Sequence, residues 1–190
     1  MVLAGKRNYV SVKEMRQIDR AAVRKGIPIE LMMENAGKAL ALCVKNKSKY
    51  LSGKKVLCIA GKGNNGGGVI ASVRHLVYYG FKVTLVLLYQ KTELTKPSRV
   101  HLSAASKTAK IIHYSSRIHR KILDADVIID GIFGTGFSGY INEPIYSIID
   151  SINRSKAYTV SNDIPSGIDA GTGKVSSICV KADYVMVLHM

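Results

Sequence analysis

Acids, cysteine and long apolar runs are all scarce in this chain, and each shortage removes a class of function. Only three cysteines, Cys43, Cys58 and Cys179, occur among 190 residues. Odd in number, scattered and set in apolar segments, they read as buried free thiols in a reducing compartment, not as a disulfide framework or a zinc site. No stretch approaches the roughly 20 apolar residues a membrane-spanning helix needs, and the first residues carry no run of signal-peptide length. The expectation is a cytoplasmic protein with no membrane partner. His75, His101, His113, His119 and His189 show no metal-ligand spacing, and no Ser or Cys stands in a nucleophile-elbow context, so covalent catalysis is disfavoured. No Gly-Lys-Ser/Thr closes a glycine loop, which excludes a Walker-type phosphate site.

Thirteen Asp and Glu face 28 Lys and Arg, a formal charge of +15. Such a balance favours polyanions, whether nucleic acid, acidic surfaces or phosphorylated small molecules. The bases are spread along the chain in short runs such as Lys45 to Lys49 and Arg117 to Lys121, without a nucleic-acid module signature, so a solvated basic surface is the simpler reading. With 47% apolar residues the chain can close a core without disulfide or metal, since a domain of this size buries roughly 70% of its unfolded surface. It is expected to form a single domain over residues 1–190.

Ser11 and Glu14 spell a capping box, followed by Val12, Met15, Ile18 and Ala22 at helical spacing as far as Gly26. A second helix is expected from near Pro28, with Leu31, Met32, Ala36, Leu40 and Cys43 on its apolar face. Neither opens a βαβ unit, so both are expected to pack as a preface on the later core or on a partner subunit. From Lys55 onward short apolar runs alternate with helical spacers. Strands are expected at Val56–Ala60, Val83–Leu88, Ile111–Ile112, Val127–Ile129, Tyr158–Val160 and Tyr184–Leu188, and helices near 69–79, 97–108, 117–123 and 144–153. Continuous apolar strands alternating with helices predict an α/β fold: a Rossmann-like three-layer sandwich with a mostly parallel sheet behind two N-terminal helices.

Three polar clusters each follow an expected strand: Gly61 to Gly68, Asp130 to Gly136, and Asn162 to Gly167. In open α/β sheets the ligand crevice lies beyond the carboxyl ends of the strands, so the three are expected to converge. Gly61 to Gly66 reads G-x-G-x-x-G, which serves either as a tight turn or as a cradle of backbone N–H groups for phosphate at a helix N-terminus. Asn64 and Asn65 add amide donors and acceptors beside it. Asp130 ends an Ile-Ile run, where a carboxylate must be paired, hydrogen-bonded or bound to a cation, or else caps the turn that follows. Asp163, ahead of Pro165 and Ser166, is either a turn-forming residue or an acid at the crevice. A crevice of carboxylates, amides, a hydroxyl and backbone donors suits a phosphorylated ligand whose proton one carboxylate handles.

The run Leu31 to Gly37, the segment Gly63 to Gly67, Asp130 to Gly136 and Asp163 to Gly167 resemble, in order, the pattern of the YjeF N-terminal domain family. That family includes the NAD(P)H-hydrate epimerases, the apolipoprotein A-I binding protein among them, and the likeness spans about Val12 to Ala182. It implies a fold that is often a homodimer and epimerises C6 of the hydrated nicotinamide ring in NADHX and NADPHX. A separate dehydratase, acting on the S form, is the implied functional partner. It further implies that Asn64, Asn65, Gly66, Gly67 and Gly68, together with Gly134, Thr135, Gly136, Phe137, Ser138, Gly139 and Tyr140, contact the dinucleotide. Asp163 would be the acid at the ligand, and Asn65, Asp130 and Ser166 would bind K+. Amide, carboxylate and hydroxyl oxygens are hard donors that suit such an ion. The family usually reads GNNGGDG, and here Gly68 stands in place of the acid. The missing acid and the charge keep open a catalytically impaired binding or scaffold module for protein or RNA, and a third alternative is an α/β enzyme acting on another nucleotide or phosphorylated metabolite.

Overall fold

The computed structural model describes residues 10–47 and 54–188, so His189 and part of the basic run Lys45 to Lys49 lie outside the described residues. Two helices, α1 (Val12–Arg24) and α2 (Ile29–Lys47), precede an alternation of strand and helix. It runs β1 (Lys55–Ala60), α3 (Asn64–Tyr78), β2 (Lys82–Leu87), α4 (Lys96–Ala105), β3 (Lys110–His113), α5 (Ile118–Leu123), β4 (Val127–Gly131), α6 (Ile145–Arg154), β5 (Tyr158–Asn162) and β6 (Tyr184–Met186). The six strands form one sheet in the order β3-β2-β1-β4-β5-β6, and every pairing is parallel. The α/β Rossmann-like expectation therefore holds, with a sheet that is wholly parallel. The order reverses between β1 and β4, which places the switch-point crevice there.

Period-two alternation splits each strand between two cores. Val56, Cys58 and Ala60 of β1 join Leu40, Val44, Ile70 and Leu76 beneath α2 and α3. Leu57 and Ile59 face the other way, toward Ile118, Ile148 and Ile152 of α5 and α6. Central strands covered on both sides have no polar face, so β1 and β4 read as near-continuous apolar runs.

The capping box forms as expected: the Ser11 N–H donates to Glu14 Oε2 at 2.7 Å and the Glu14 N–H to Ser11 Oγ at 3.2 Å. Three expectations need correction. First, α3 begins at Asn64, not near residue 69, so the glycine run is helix rather than loop. Close packing explains it. A Cβ on Gly66 would stand 2.1 Å from the Gly61 carbonyl oxygen, and one on Gly67 would stand 2.4 Å from Ser98 Oγ and 2.5 Å from Met33 Cε. Second, the buried face of α2 is Met33, Gly37, Leu40, Ala41 and Val44, while Leu31 is exposed and Met32, Ala36 and Cys43 are half-buried. Gly37 sets that face, because its bare backbone lies against Ala71 and Ser72 of α3. Third, Cys58 is buried but Cys43 and Cys179 are only partly so. All three thiols are free. Helix α1 buries none of its residues, and Ile18 on its apolar stripe stays 49% exposed. Among the described residues no helix is long and apolar enough to cross a membrane.

Candidate functional site

Beyond the carboxyl ends of β1, β4 and β5 the three polar clusters meet. The Gly61 N–H donates to the Gly131 carbonyl at 3.0 Å, and a side chain on Gly61 would strike the Ile132 carbonyl oxygen, so the first two turns run in direct contact. Asn65, in the first turn of α3, donates from Nδ2 to the carbonyl of Phe133. Asn162, the last residue of β5, donates from Nδ2 to Asn65 Oδ1 at 2.7 Å and to the Asn65 carbonyl at 3.2 Å. Amide bonds therefore tie β5 to α3, and α3 to the turn after β4.

Asp130 is fully buried and accepts four hydrogen bonds. Oδ1 takes Ser166 Oγ at 2.5 Å and the Ile132 N–H at 3.1 Å; Oδ2 takes Ser161 Oγ at 2.8 Å and the Ser166 N–H at 2.9 Å. These donors are neutral hydroxyls and peptide groups. Burial pushes the carboxyl pKa upward, and the bonds from Ser166, Ile132 and Ser161 oppose that shift without cancelling it. Ser166 Oγ also accepts from the Phe133 N–H at 2.8 Å, so Asn65, Asp130 and Ser166 share one small neighbourhood around Phe133.

Asp163 follows at once. Its φ of 68° places a non-glycine residue in the left-handed region, which Asp and Asn tolerate better than most. Its N–H donates to the Met186 carbonyl at 2.8 Å, fastening the turn to the edge strand β6, and the residue stays half-buried at the rim. The stretch Gly134 to Tyr140 leaves the core. The backbone of Gly134 lies against the Asn65 side chain, and the Phe137 ring stacks on Phe133 with centroids 4.7 Å apart. Thr135, Gly136, Ser138 and Gly139 are exposed, and Tyr140 is 85% exposed. Beneath Gly68, Asn162 Nδ2 stands 3.1 Å from where a Cβ would be.

Four participants carried no signal in the linear pattern. Ser161 lies just outside the third cluster, Asn162 and Phe133 lie inside clusters whose pattern points to their neighbours, and each contributes through a bond that exists only after folding. Arg16 of exposed α1 reaches within 3.9 Å of the Cβ position of Gly136, bringing a guanidinium to the rim. The histidines show no metal-ligand spacing in the sequence, and among the described residues no group of three or more His, Cys, Asp and Glu is placed to hold a metal. Two of them nevertheless converge. Glu34 of α2 receives Arg74 Nη2 at 2.5 Å and His75 Nε2 at 2.8 Å, with His101 Nδ1 at 3.4 Å. Burial raises its pKa, but the bonds and charges of His75 and Arg74 outweigh that and leave it below the usual value. This cluster braces α3 from behind, next to Met33 under Gly67.

A sequence profile described as "YjeF-related protein N-terminus" matches residues 29–190. The chain belongs to this family. It is 37% identical over 181 residues to a protein of Cenarchaeum symbiosum named NAD(P)H-hydrate epimerase, covering 95% of this chain and 84% of that one. A protein of the same name from Nitrosopumilus maritimus is 35% identical with the same coverage. The bifunctional NAD(P)H-hydrate repair enzyme Nnr of Methanothermobacter thermautotrophicus is 35% identical over the whole chain, which spans 37% of that longer protein. Among solved structures, yeast YNL200c superposes with a TM-score of 0.84 at 24% identity, covering 93% of this chain and 78% of that one, a likeness of fold.

Proposed function

We propose that this YjeF-family chain is an NAD(P)H-hydrate epimerase, acting as one domain that interconverts the R and S forms of NADHX and NADPHX at C6 of the hydrated nicotinamide ring. The observation that carries the reading is the meeting of Asn65, Asp130 and Ser166 around Phe133, with Asp163 in the same turn as Ser166, in a chain that matches a named epimerase over 95% of its length. The N–H groups at the start of α3, where no side chain caps the helix at Gly63, offer an anion site for the dinucleotide phosphates, and Arg16 brings positive charge to the rim at Gly136. Asn64 to Gly68 and Gly134 to Tyr140 form the walls along which the dinucleotide lies.

Asp163 is the acid of the reaction. It gives a proton to the C6 hydroxyl, which leaves as water while the ring-nitrogen lone pair closes a C=N bond. Water then adds to the other face of C6, and the carboxylate of Asp163 takes the proton back. A half-buried carboxyl at the rim, its backbone fixed to β6, is placed to serve both directions. The S form passes to an NAD(P)HX dehydratase.

The residues present also fit a monovalent cation. Asp130 is a buried carboxylate whose donors are all neutral, the Ser166 hydroxyl and Phe133 carbonyl supply hard oxygen atoms beside it, and the Asn65 amide, which points Nδ2 at that carbonyl, would supply a third by turning over. Asn65, Asp130 and Ser166 would hold K+, whose charge would neutralise the carboxylate and fasten the three turns together. The unburied stripe of α1 supports pairing of two copies, which sedimentation velocity checks.

Replacing Asp163 by Asn tests the central assignment, because Asn accepts the same left-handed backbone. Interconversion of R- and S-NADHX, followed by NMR, is expected to fall by roughly 10²-fold or more, while ligand affinity stays within about tenfold. Full turnover in that variant overturns the role of Asp163.

A further inference from the structure

The amide chain that joins the three turns has a fixed polarity, and one of its atoms is left over. Asn162 is fully buried, and among the described residues its Oδ1 has no hydrogen-bond partner. Its Nδ2 makes two bonds, both to oxygens of Asn65, and Asn65 in turn points Nδ2 at the Phe133 carbonyl. Neither amide can be reversed alone. Turning Asn162 would set its oxygen against Asn65 Oδ1 and the Asn65 carbonyl. Turning Asn65 would set oxygen against the Phe133 carbonyl and N–H against N–H. A buried acceptor without a donor is costly, so the bonds to Asn65 hold Asn162 in this orientation against that cost.

The same polarity decides what Asn65 offers to the neighbourhood of Asp130. As bonded by Asn162, it presents an N–H toward Phe133, and its amide oxygen is committed elsewhere. A cation among Asp130, Ser166 and Phe133 needs the oxygen, and an N–H there repels it. We propose that Asn162 is a positioning residue that acts through Asn65 as a brake on monovalent cation binding, by holding the Asn65 amide in the orientation that turns its oxygen away. The inference rests on the reading of Asn65, Asp130 and Ser166 as a cation site. Cation entry turns Asn65 over, and Asn162 then has reason to turn with it, because its partnerless oxygen gains the Asn65 N–H as a donor. What is given up is the bond from Asn65 Nδ2 to the Phe133 carbonyl, which the cation replaces, and the longer bond from Asn162 Nδ2 to the Asn65 carbonyl, where oxygen then faces oxygen.

The test titrates KCl against N-methylglucamine chloride at constant ionic strength and follows the thermal midpoint, from whose concentration dependence an apparent affinity for K+ is read. Asn162→Ala removes the donor that commits the Asn65 oxygen, and is expected to tighten K+ by roughly five- to tenfold. Asn162→Asp, which can only accept, favours the turned Asn65 and is expected to tighten it at least as much. An unchanged or weaker affinity in Asn162→Ala, with the wild type responding to K+, overturns the brake and leaves the cation site standing. A midpoint indifferent to K+ in all three proteins overturns the cation site and the brake with it. Should the variants not fold, wild-type crystals soaked in thallium(I) decide. A thallium peak in direct contact with the Asn65 amide atom that faces Phe133 marks that atom as oxygen and the amide as turned, which supports the proposal; a peak among Asp130, Ser166 and Phe133 without that contact overturns it.

Discussion

Asp130 and Glu34 are each gripped by several donors, yet the two carboxylates sit in contrasting electrostatic settings. Asp130 is sealed among hydroxyls and peptide N–H groups, and burial drives its pKa up from the ordinary 3.8. Glu34, 29% exposed, meets a guanidinium and two imidazoles, and its pKa lies below the ordinary 4.5 although burial alone would raise it. Hydrogen bonds saturate both; only one has its charge answered. A carboxylate met by neutral donors keeps its demand for positive charge, whereas one met by cations has become structural cement. Depth in the fold is therefore a weaker guide to function than the kind of donor that surrounds the group.

The largest expected effect is on Asp130. Asp130→Ala strands the donors of Ser161, Ser166 and Ile132 in the interior and is expected to cost about 3–5 kcal/mol in urea unfolding. A loss under about 1 kcal/mol would show that those donors find water and that the contrast is overdrawn. Next, Gly68→Asp sets a third carboxyl beside Asn162 Nδ2, in a buried position whose Cβ is already tight. It is expected to destabilise by about 1–3 kcal/mol, because one neutral amide does not repay the burial of a charge. A stabilised variant would place neutral donors on a par with cationic ones.

Glu34→Ala is expected to cost less, about 1–2 kcal/mol, since its pairs are partly open to solvent. The smallest effect is the dependence on pH. A folded-state pKa below 4.5 means the stabilisation from Glu34 is complete above pH 4.5 and fades as pH falls through the lowered value. Glu34→Gln is expected to flatten the acid limb of a stability profile in that window while leaving the profile above it parallel to the wild type. A variant that keeps the wild-type slope there would assign the acid sensitivity elsewhere.

Much of this architecture was legible in the linear pattern because its causes are local. Buried strands announce themselves as apolar runs, and the Ser11–Glu14 box closes within one turn. What escaped was set by contacts between distant segments. The helical start of α3 hides in glycines that ordinarily mark loops, and they belong there because Met33 and Ser98 press on Gly67 from other helices. The buried face of α2 is displaced from the apolar pattern since Gly37, which contributes nothing to hydrophobicity, admits Ala71 of α3. At the site, Asp130, Asp163 and Ser166 stood out by type and by position after a strand. Asn162 opens the third cluster but without a role of its own, as an amide after a strand is unremarkable until its partner, 97 residues away, is known. The Glu34 cluster drew on His75 and His101, whose meeting needs α2, α3 and α4 all in place.

The bond from the Asp163 N–H to the carbonyl of Met186 has a mechanical consequence. β6 is three residues long, lies at the border of the sheet and pairs with β5 alone. The anchorage of Asp163 is thus moored to the strand with least lateral support, and breathing of that border reaches Asp163 through one peptide link, without disturbing the centre of the sheet.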